Sequence, residues 1–459
     1  MTRTNGSESL NSFSLSLLSC QLDKSVGKVN YDKIDREVAK YASHTRVEIS
    51  PEENDRLRRM IDKRVLSIMI TTYFLQSLDK GILSFASIMG LPQDTGMVQP
   101  NGNVSQQYSW LTSSFIVLSS TWFRREEQAA QVTYWYMMNG AQQMVGGLLA
   151  YCFSLIHTGP PKSWQWLFLS YGIVSVFFGV FVLLWIPDSP MRAKCFNEED
   201  KRLMVERVRD NQTGVQNRTF KKEHVYEALR DLQMWCYGLI QFCTVLPTTS
   251  GLSTFANIII KESLGFDVLQ TQLLSMVLGA YIIILLLVSV WMVNKWNQNI
   301  LTCLGFVVFS FVGTMLLMTV PNVTFSQHVG LLISYYITMS FWTAQTLGLS
   351  MMSRNVGGQT KKTIVVAANF IFWSAGNAIG PQVFLARESP KYYTAFSTYL
   401  GCFSLLVVVL IFFRWHLVRE NKKRDAMAAA GVREANDGNM THAFEDLTDR
   451  ENPNFRYVY

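Results

Sequence analysis

The chain has 459 residues and a formal net charge of +7, and only 16% of its residues are charged. Soluble domains contain about 25% charged residues, and the mean hydropathy of +0.13 averages an apolar middle with two polar ends. This composition excludes an ordinary soluble protein. Lys and Arg crowd one set of connections between apolar runs, which is the pattern that orients membrane helices. We therefore expect a lipid bilayer as partner and no nucleic acid.

Nine apolar runs are long enough to cross a bilayer as helices, because about 20 residues span ~30 Å of hydrocarbon. A tenth run, Trp110–Phe123, has 14 residues and reaches only about 21 Å at ~1.5 Å per residue. The sequence predicts an all-α membrane protein with about ten crossings, one of them too short. The nine long runs are Val65–Leu91, Gln131–Ile156, Trp164–Ile186, Met234–Ile260, Leu273–Val293, Ile300–Val320, Val329–Met352, Ile364–Phe384 and Tyr393–Trp415.

Basic residues predict the orientation of these runs. The middle connection, residues 188–233, contains ten Lys and Arg residues and is therefore predicted to be cytoplasmic. Counting crossings outward places both tails in the cytoplasm, provided that the short run is one crossing. The predicted units are a tail at 1–63, an incomplete first membrane half at 64–187, the middle connection, a six-helix second half at 234–417 and a tail at 418–459.

The tails and the cysteines carry little functional signal. Both tails are polar and are predicted to be disordered or weakly helical, with an amphipathic helix at Glu52–Lys63, and the first 62 residues lack a cleavable signal. Seven cysteines without a CxxC pair favour neither a disulfide framework nor a metal site. Since no catalytic constellation is visible either, we expect no enzyme, no cofactor and no metal.

Two runs share a pattern of aromatic residues followed by Gly and Asn and then by a second group of small residues. It occurs at 134–147 and again at 370–382. Repeated transporters place such residues near the substrate cavity, whereas small residues also permit close helix packing. Both interpretations stay open for the glycines, and cavity lining is favoured for the amides. The glycines are Gly140, Gly146, Gly147, Gly376 and Gly380.

Polar side chains inside the runs are candidates for a substrate or proton pathway. Asp79 lies 14 residues after Val65, about 21 Å into the membrane, where an ionisable group is by default a functional candidate. The alternative is that Asp79 and Lys80 lie at the outer interface, with Lys80 extending outward. Amides can hydrogen-bond a carboxylate, and the Trp can stack on a planar ring, but each of these side chains is also explained by an interhelical hydrogen bond. The other candidates are Asn139, Gln142, Gln143, Gln241, Asn257, Trp342, Gln345, Asn369 and Asn377.

Three basic residues, Arg354, Lys361 and Lys362, lie in a connection that the charge pattern predicts to be cytoplasmic. We favour an anchoring role that fixes the topology. Contact with an anion at the exit of the pathway is the alternative.

Linked motifs carry a family resemblance. They are Pro187-Asp-Ser-Pro190, Asn197-Glu-Glu-Asp200, Arg209-Asp-Asn-Gln-Thr-Gly214, Ser353-Arg-Asn-Val-Gly-Gly358 and Gly376-Asn-Ala-Ile-Gly380. With these motifs, residues 57–419 resemble the anion:cation symporter branch of the major facilitator superfamily, and specifically the fungal allantoate permease type. The resemblance implies twelve helices in two six-helix halves. It also implies import of small organic anions, such as ureides and vitamin carboxylates, usually with protons.

The chain departs from that family in the first half. Residues 107–113 resemble the start of the family's second helix, and residues 122–128 resemble the connection after its fourth helix, with only 114–121 between them. Parts of helices two and four and all of helix three therefore have no counterpart, and an arginine of helix four is lost with them. A skipped exon or an imperfect gene model explains the gap, and a genuinely shortened transporter is the alternative.

These observations predict a monomeric, multi-pass protein of the plasma membrane that carries a small organic anion with H+. The alternative is a non-transporting remnant, or a membrane-bound interaction or sensor protein. Half of the substrate cavity in such transporters comes from the first half. For the 459-residue form we therefore expect poor folding and no transport.

Overall fold

The computed structural model describes most of the apolar runs and part of the connections. The described residues are 49–95, 115–116, 118–119, 121–156, 161–185, 193, 195–208, 211, 221–247, 268–321, 325–383, 385, 388, 392–429, 446–452 and 455–459. These residues form helices, turns and irregular segments without any strand, in agreement with the predicted all-α class. Asn257 and half of the short run 110–123 lie outside the described residues.

The chain up to residue 207 contributes seven helices within the described ranges. They are α1 Pro51–Ile61, α2 Ser67–Ile88, α3 Leu91–Thr95, α4 Gln128–Tyr136, α5 Met138–Ser154, α6 Ser163–Trp185 and α7 Glu198–Arg207. A π-helical turn, Asp62–Leu66, joins α1 to α2. The side chain of Ser50 caps α1 by accepting a hydrogen bond from the backbone N–H of Glu53 at 3.2 Å. Helix α1 matches the predicted amphipathic helix.

Eight further helices follow in the described part of the chain. They are α8 Lys222–Arg230, α9 Leu232–Pro247, α10 Val268–Trp296, α11 Asn299–Thr319, α12 Phe325–Thr338, α13 Trp342–Asn355, α14 Gln359–Val383 and α15 Tyr393–Ala429. A 3₁₀ turn, Met339–Phe341, joins α12 to α13. The predicted run 329–352 is thus interrupted by this turn, and the run 131–156 is interrupted at Met137 between α4 and α5.

Five of the described helices are long and apolar enough to cross a membrane by length and composition. These spans are Ser163–Trp185, Leu269–Trp296, Asn299–Thr319, Gln359–Gly380 and Tyr393–Met427. Of these five helices, α6 has the smallest fraction of buried residues. Its apolar side chains Phe177, Leu183 and Leu184 are 74%, 84% and 82% exposed. In a membrane protein such a surface is suited to contact with lipid.

The two halves pack directly against each other. Helix α5 of the first half lies along α10 of the second, and α4 lies against α13. At the α5–α10 contact, a Cβ added to Gly140 would lie 2.7 Å from the carbonyl oxygen of Gly279, and one added to Gly147 would lie 2.8 Å from that of Gln272. These helices approach each other closely because glycine has no side chain.

The second tail is more ordered than the sequence predicts. Helix α15 continues through the predicted boundary at 418 to Ala429, because no Gly or Pro interrupts residues 418–429. Residues 446–452 and 455–459, which we name the C-terminal segment, pack against the ends of α8, α13, α14 and α15. We name this end of the bundle the middle-loop end, since it also carries α7 and α8 of the middle connection. Residues 418–429 are helical, which the expectation of a disordered or weakly helical tail allows, whereas the packing of residues 446–452 and 455–459 against the bundle was not predicted.

Candidate functional site between the halves and at the middle-loop end

Asp79 and Lys80 are consecutive on α2 and point to different neighbours. Ser175 on α6 donates hydrogen bonds to both carboxylate oxygens of Asp79, at 3.1 and 3.3 Å. The Nζ atom of Lys80 lies 5.7 Å from the centre of the Trp373 ring on α14. Successive helical residues are about 100° apart around the axis at ~3.6 residues per turn. Asp79 is therefore held inside the first half, whereas Lys80 reaches the second half.

The predicted amide candidates of α5 face α2 and α10. Asn139 donates hydrogen bonds to the hydroxyl of Tyr73 at 3.2 Å and to the carbonyl of Tyr136 at 2.8 Å. The Nε2 atom of Gln142 is buried without a hydrogen-bond partner. It occupies space beside Gly81 that a Cβ would fill, since an added Cβ would lie 1.9 Å from this atom.

Close helix contacts account for most of the remaining predicted residues on α5 and α14. Gln143 packs against Gly279 on α10, in the same contact as Gly140. Added Cβ atoms would meet Phe85 at Gly146 and Val245 at Gly376, at 2.9 and 3.2 Å respectively. Gly380 is buried near the end of α14. At Gly140, Gly146 and Gly376, close contact with a neighbouring helix therefore explains why a residue without a side chain is present.

An aromatic cluster joins α2, α4 and α13 across the boundary between the halves. The ring centres of Tyr73 and Trp135 are 4.9 Å apart, and those of Tyr136 and Trp342 are 5.8 Å apart. The indole Nε1 of Trp342 is buried and has no hydrogen-bond partner among the described residues. A buried N–H without a partner is costly, so a polar group of a ligand could satisfy it.

The other second-half candidates are also buried. Gln345 is 2% exposed and its Oε1 has no partner. Asn377 donates to the carbonyl of Trp373, one turn earlier, at 2.9 Å, and its Oδ1 has no partner. Gln241 and Asn369 are 5% and 3% exposed. Among the described residues, buried amide atoms without a hydrogen-bond partner therefore occur on α13 and α14 as well as on α5.

At the middle-loop end, Lys361 is fully surrounded by acidic side chains. Its Nζ lies 2.8 Å from Glu227, 2.6 Å from Asp231 and 2.7 Å from Asp449. Three carboxylates this close together would suit a metal ion, but here they enclose the ammonium group. Burial, together with the negative charge of Asp449, raises the pKa of the Tyr457 hydroxyl, and that hydroxyl donates to Asp449 at 2.7 Å.

The expectation that Arg354, Lys361 and Lys362 are topology anchors in a connection needs correction, because Arg354 lies in the last turn of α13 and the two lysines lie in the first turn of α14. Arg354, Lys361 and Lys362 are 6%, 0% and 2% exposed, because the C-terminal segment and α8 cover this end. A role that requires contact with lipid headgroups does not fit such burial. This cover was not predictable from local sequence, since the C-terminal segment is far away in the chain.

Comparison with known proteins decides the family. Residues 107–381 match the model of the Major Facilitator Superfamily. The chain belongs to the major facilitator superfamily. The predicted family and the predicted helical membrane fold are thereby confirmed. The proton:xylose symporter XylE, whose solved structure is 12% identical, has a TM-score of 0.50 with coverage of 84% of this chain and 90% of its own.

Relatives within the superfamily include several fungal transporters. The allantoate permease of Saccharomyces cerevisiae is 28% identical, covering 94% of this chain and 92% of the permease. An uncharacterized transporter of Schizosaccharomyces pombe is 33% identical over 76% of this chain, which spans 65% of that relative's length. The alignment with the permease has 511 positions, more than the 459 residues of this chain. The permease therefore has residues for which this superfamily member has no counterpart.

Sequence reasoning missed two features of the site. Lys80 was not among the predicted site residues and extended outward only in the alternative interpretation, because its position beside Trp373 depends on which helix faces α2. Gly81 was not singled out, although Gln142 lies against it. The adjacent Asp79 was the one local signal that this part of α2 is unusual, because charged residues are rare inside apolar helices.

Proposed function

We propose that this superfamily member carries a small organic anion into the cell together with a proton, as a monomer in the plasma membrane with both tails in the cytoplasm. One observation carries the proposal. Lys80 of the first half lies beside Trp373 of the second half. Substrates of such transporters bind between the repeated halves, so a cation there favours an anionic substrate.

The surroundings of Lys80 support an anion with a planar or apolar part. Its side chain is exposed, in contrast to the enclosed Lys361. Trp373 and Trp342 offer aromatic faces on the second-half side, and aromatic rings stack on planar groups. The unsatisfied N–H groups of Trp342 and Gln142 are hydrogen-bond donors of the kind that a carboxylate accepts. Allantoate, which the name of one relative mentions, is such an anion.

Asp79 supports the proton part of the proposal. Its carboxylate lies within the first half against Ser175, one residue away from the proposed substrate cation. A carboxylate that takes up a proton from outside changes the charge next to Lys80. Anion binding at Lys80 and protonation of Asp79 are then coupled through their mutual electrostatic interaction.

Uptake measurements test the anion proposal. The full chain is expressed in cells that lack related permeases, and uptake of radiolabelled allantoate and nicotinate is compared with the empty vector. Lys80→Gln should abolish saturable uptake, and Lys80→Arg should retain part of it. The matched control is Lys295→Gln, because Lys295 also lies over a Trp ring, that of Trp291 at 4.9 Å, but on the exposed surface of α10. Equal uptake by Lys80→Gln and wild type contradicts the proposal.

A second candidate function follows from the missing residues. The permease contains residues that this chain lacks, and the run 110–123 is about 9 Å shorter than ~30 Å of hydrocarbon. We propose as the alternative that this form is a membrane protein that does not transport. Absence of uptake by the chain as given, with uptake after insertion of the corresponding segment of the permease, supports this alternative. Saturable uptake by the chain as given removes it.

A further inference from the structure

A cavity at the middle-loop end lies where the two halves meet. Its volume is about 540 Å³, within the roughly 300–1,000 Å³ typical of small-molecule sites. Arg125 of the first half and Arg354 of the second half line it together. Residues 457–459 of the C-terminal segment also line it. The cavity is therefore built from three separate parts of the chain.

Arg354 is buried in this cavity without an ion pair among the described residues. It is 6% exposed, and its Nη1 donates only a long hydrogen bond of 3.4 Å to the Oδ1 of Asn299. Its Nε has no hydrogen-bond partner. A buried guanidinium that lacks an acidic partner is costly. Among the described residues, the guanidinium of Arg354 therefore has no acidic partner, and its Nε has no hydrogen-bond acceptor.

Arg125 approaches the same place from the first half. Its Nη2 donates to the Oδ1 of Asn355 at 3.3 Å and to the carbonyl of Arg456, and its guanidinium lies 4.4 Å from the centre of the Phe455 ring. Its Nε is also buried without a partner. Burial, followed by the positive charge of Arg354, lowers the pKa of Arg125 to about 9. The positive charge of each arginine therefore disfavours the charged form of the other.

A third basic residue at this end, Lys362, is also buried and lies close to the two arginines in the fold. Lys362 is 2% exposed, and its Nζ donates to the carbonyl of Ser353 at 2.9 Å. The preceding residue is an internal comparison, since Lys361 has three carboxylates between 2.6 and 2.8 Å away. The fold therefore surrounds Lys361 with carboxylates, whereas no carboxylate of the described residues pairs with Lys362.

The carboxylates that line the cavity do not neutralise it. Asp425 accepts a hydrogen bond from the Nε of Arg456 at 3.1 Å, and its side chain is 65% exposed. Glu126 is also exposed. An exposed carboxylate interacts weakly with a buried cation because water screens it. Four arginines and two acidic side chains line the cavity, so its lining within the described residues keeps an excess of positive charge.

We propose that this cavity binds a small oxyanion, a carboxylate or phosphate group held between the guanidiniums of Arg125 and Arg354. Each guanidinium presents a planar fork of N–H donors that matches two oxygens of such a group. Because the two arginines come from different halves, the bound anion holds the middle-loop end closed. The inference concerns binding at this end and does not depend on transport.

Thermal unfolding of the purified full chain tests the proposal. The protein is kept in neutral detergent with an amine buffer neutralised by HCl, which adds no oxyanion, and unfolding is followed by tryptophan fluorescence during titration with inorganic phosphate or acetate. Chloride at equal ionic strength is the reference. A ligand that binds only the folded state raises the unfolding temperature. We expect phosphate, acetate or both to raise it by several degrees more than chloride does.

Substitutions test whether the rise in unfolding temperature comes from binding in the cavity. Arg354→Gln and Arg125→Gln should each remove the rise, whereas Arg230→Gln should keep it, because Arg230 is an exposed arginine at the same end outside the cavity. Without added anion, Arg354→Gln should unfold at the same temperature as wild type or higher, since an uncompensated buried cation is removed. If one substitution prevents folding, the other, from the opposite half, provides the same comparison.

The results also separate the possible sources of the oxyanion. A rise with free phosphate or acetate indicates a small soluble ligand. A rise seen only in nanodiscs containing phosphatidylglycerol, compared with phosphatidylcholine alone, indicates a lipid headgroup. If no oxyanion exceeds chloride in either setting, or if Arg354→Gln keeps the full rise, the proposal is wrong. Binding without any uptake leaves this inference intact and counts only against the transport proposal.

Discussion

The ammonium group of Lys361 lies 2.7 Å from the carboxylate of Asp449, and both side chains are fully buried. This ion pair ties α14 to the C-terminal segment. Asp449 also accepts hydrogen bonds from Gln233 and Tyr457, at 3.3 and 2.7 Å. A pair with so many additional hydrogen bonds is the kind whose disruption is strongly destabilising.

Asp449→Asn should lower the stability of the folded protein. Removing one partner of a buried ion pair typically costs about 3–5 kcal/mol, and the neighbouring carboxylates of Glu227 and Asp231 reduce this loss because they still face Lys361. We expect a decrease of several degrees in unfolding temperature in detergent. The control is Asp425→Asn, whose carboxylate pairs with Arg456 and is 65% exposed, and it should change stability little. Similar losses in both variants would contradict a special role for Asp449.

Gly140→Ala should disturb the contact between the halves. The new Cβ would lie 2.7 Å from the carbonyl oxygen of Gly279 and 2.8 Å from Ile283, so α5 and α10 must move apart. Overpacking of this kind costs about 1–3 kcal/mol. Gly172→Ala on α6 is the matched control, since nothing lies within 4 Å of its added Cβ. The prediction fails if the two variants unfold at the same temperature.

Asp79→Asn should weaken the dependence of uptake on external pH. In a carrier with the missing segment restored, wild-type uptake should rise as pH falls, because protonation of Asp79 removes a negative charge beside Lys80, the proposed substrate-binding cation. The amide mimics the protonated carboxyl and still accepts a hydrogen bond from Ser175. Asp94→Asn serves as control, since Asp94 pairs with Lys162. A pH profile unchanged by Asp79→Asn excludes Asp79 from coupling.

Labelling of single cysteines should report the orientation of the chain. Cys152 near the end of α5 and Cys195 beside α7 are both exposed and free. In intact cells, a membrane-impermeant maleimide should label a variant that retains only Cys152. A variant that retains only Cys195 should react only after permeabilisation, because the middle connection is proposed to be cytoplasmic. The reverse pattern would place the middle-loop end outside.

Much of the architecture was predictable because membrane insertion depends on local properties. A run of about 20 apolar residues forms a helix in lipid wherever its neighbours are, and loop charge orients it. The predicted runs at 65–91, 164–186, 273–293 and 300–320 accordingly contain α2, α6, α10 and α11 with ends that differ by a few residues. The breaks at Met137 and at Met339–Phe341 were not predictable, since nearby apolar residues continue across them.

The candidate site was predictable in its residue types and not in its contacts. Asn139, Gln142 and Trp342 stood out because polar or amphipathic groups are unusual within apolar helices, and the structure brings them near the boundary of the halves. Which partner each meets depends on helix rotation and on the facing helix. Sequence spacing carries no information on the facing helix.

The sequence by itself determined that this is a helical membrane protein, and it predicts a shortened first half, because hydropathy and motif spacing are properties of short segments. Only the tertiary structure decided that Lys80 faces Trp373, that Arg125 and Arg354 share a cavity, and that the C-terminal segment encloses Lys361. Each of these relationships joins residues far apart in the chain. These relationships form when the helices pack, because packing determines which side chains lie next to each charged group and therefore which charges are compensated.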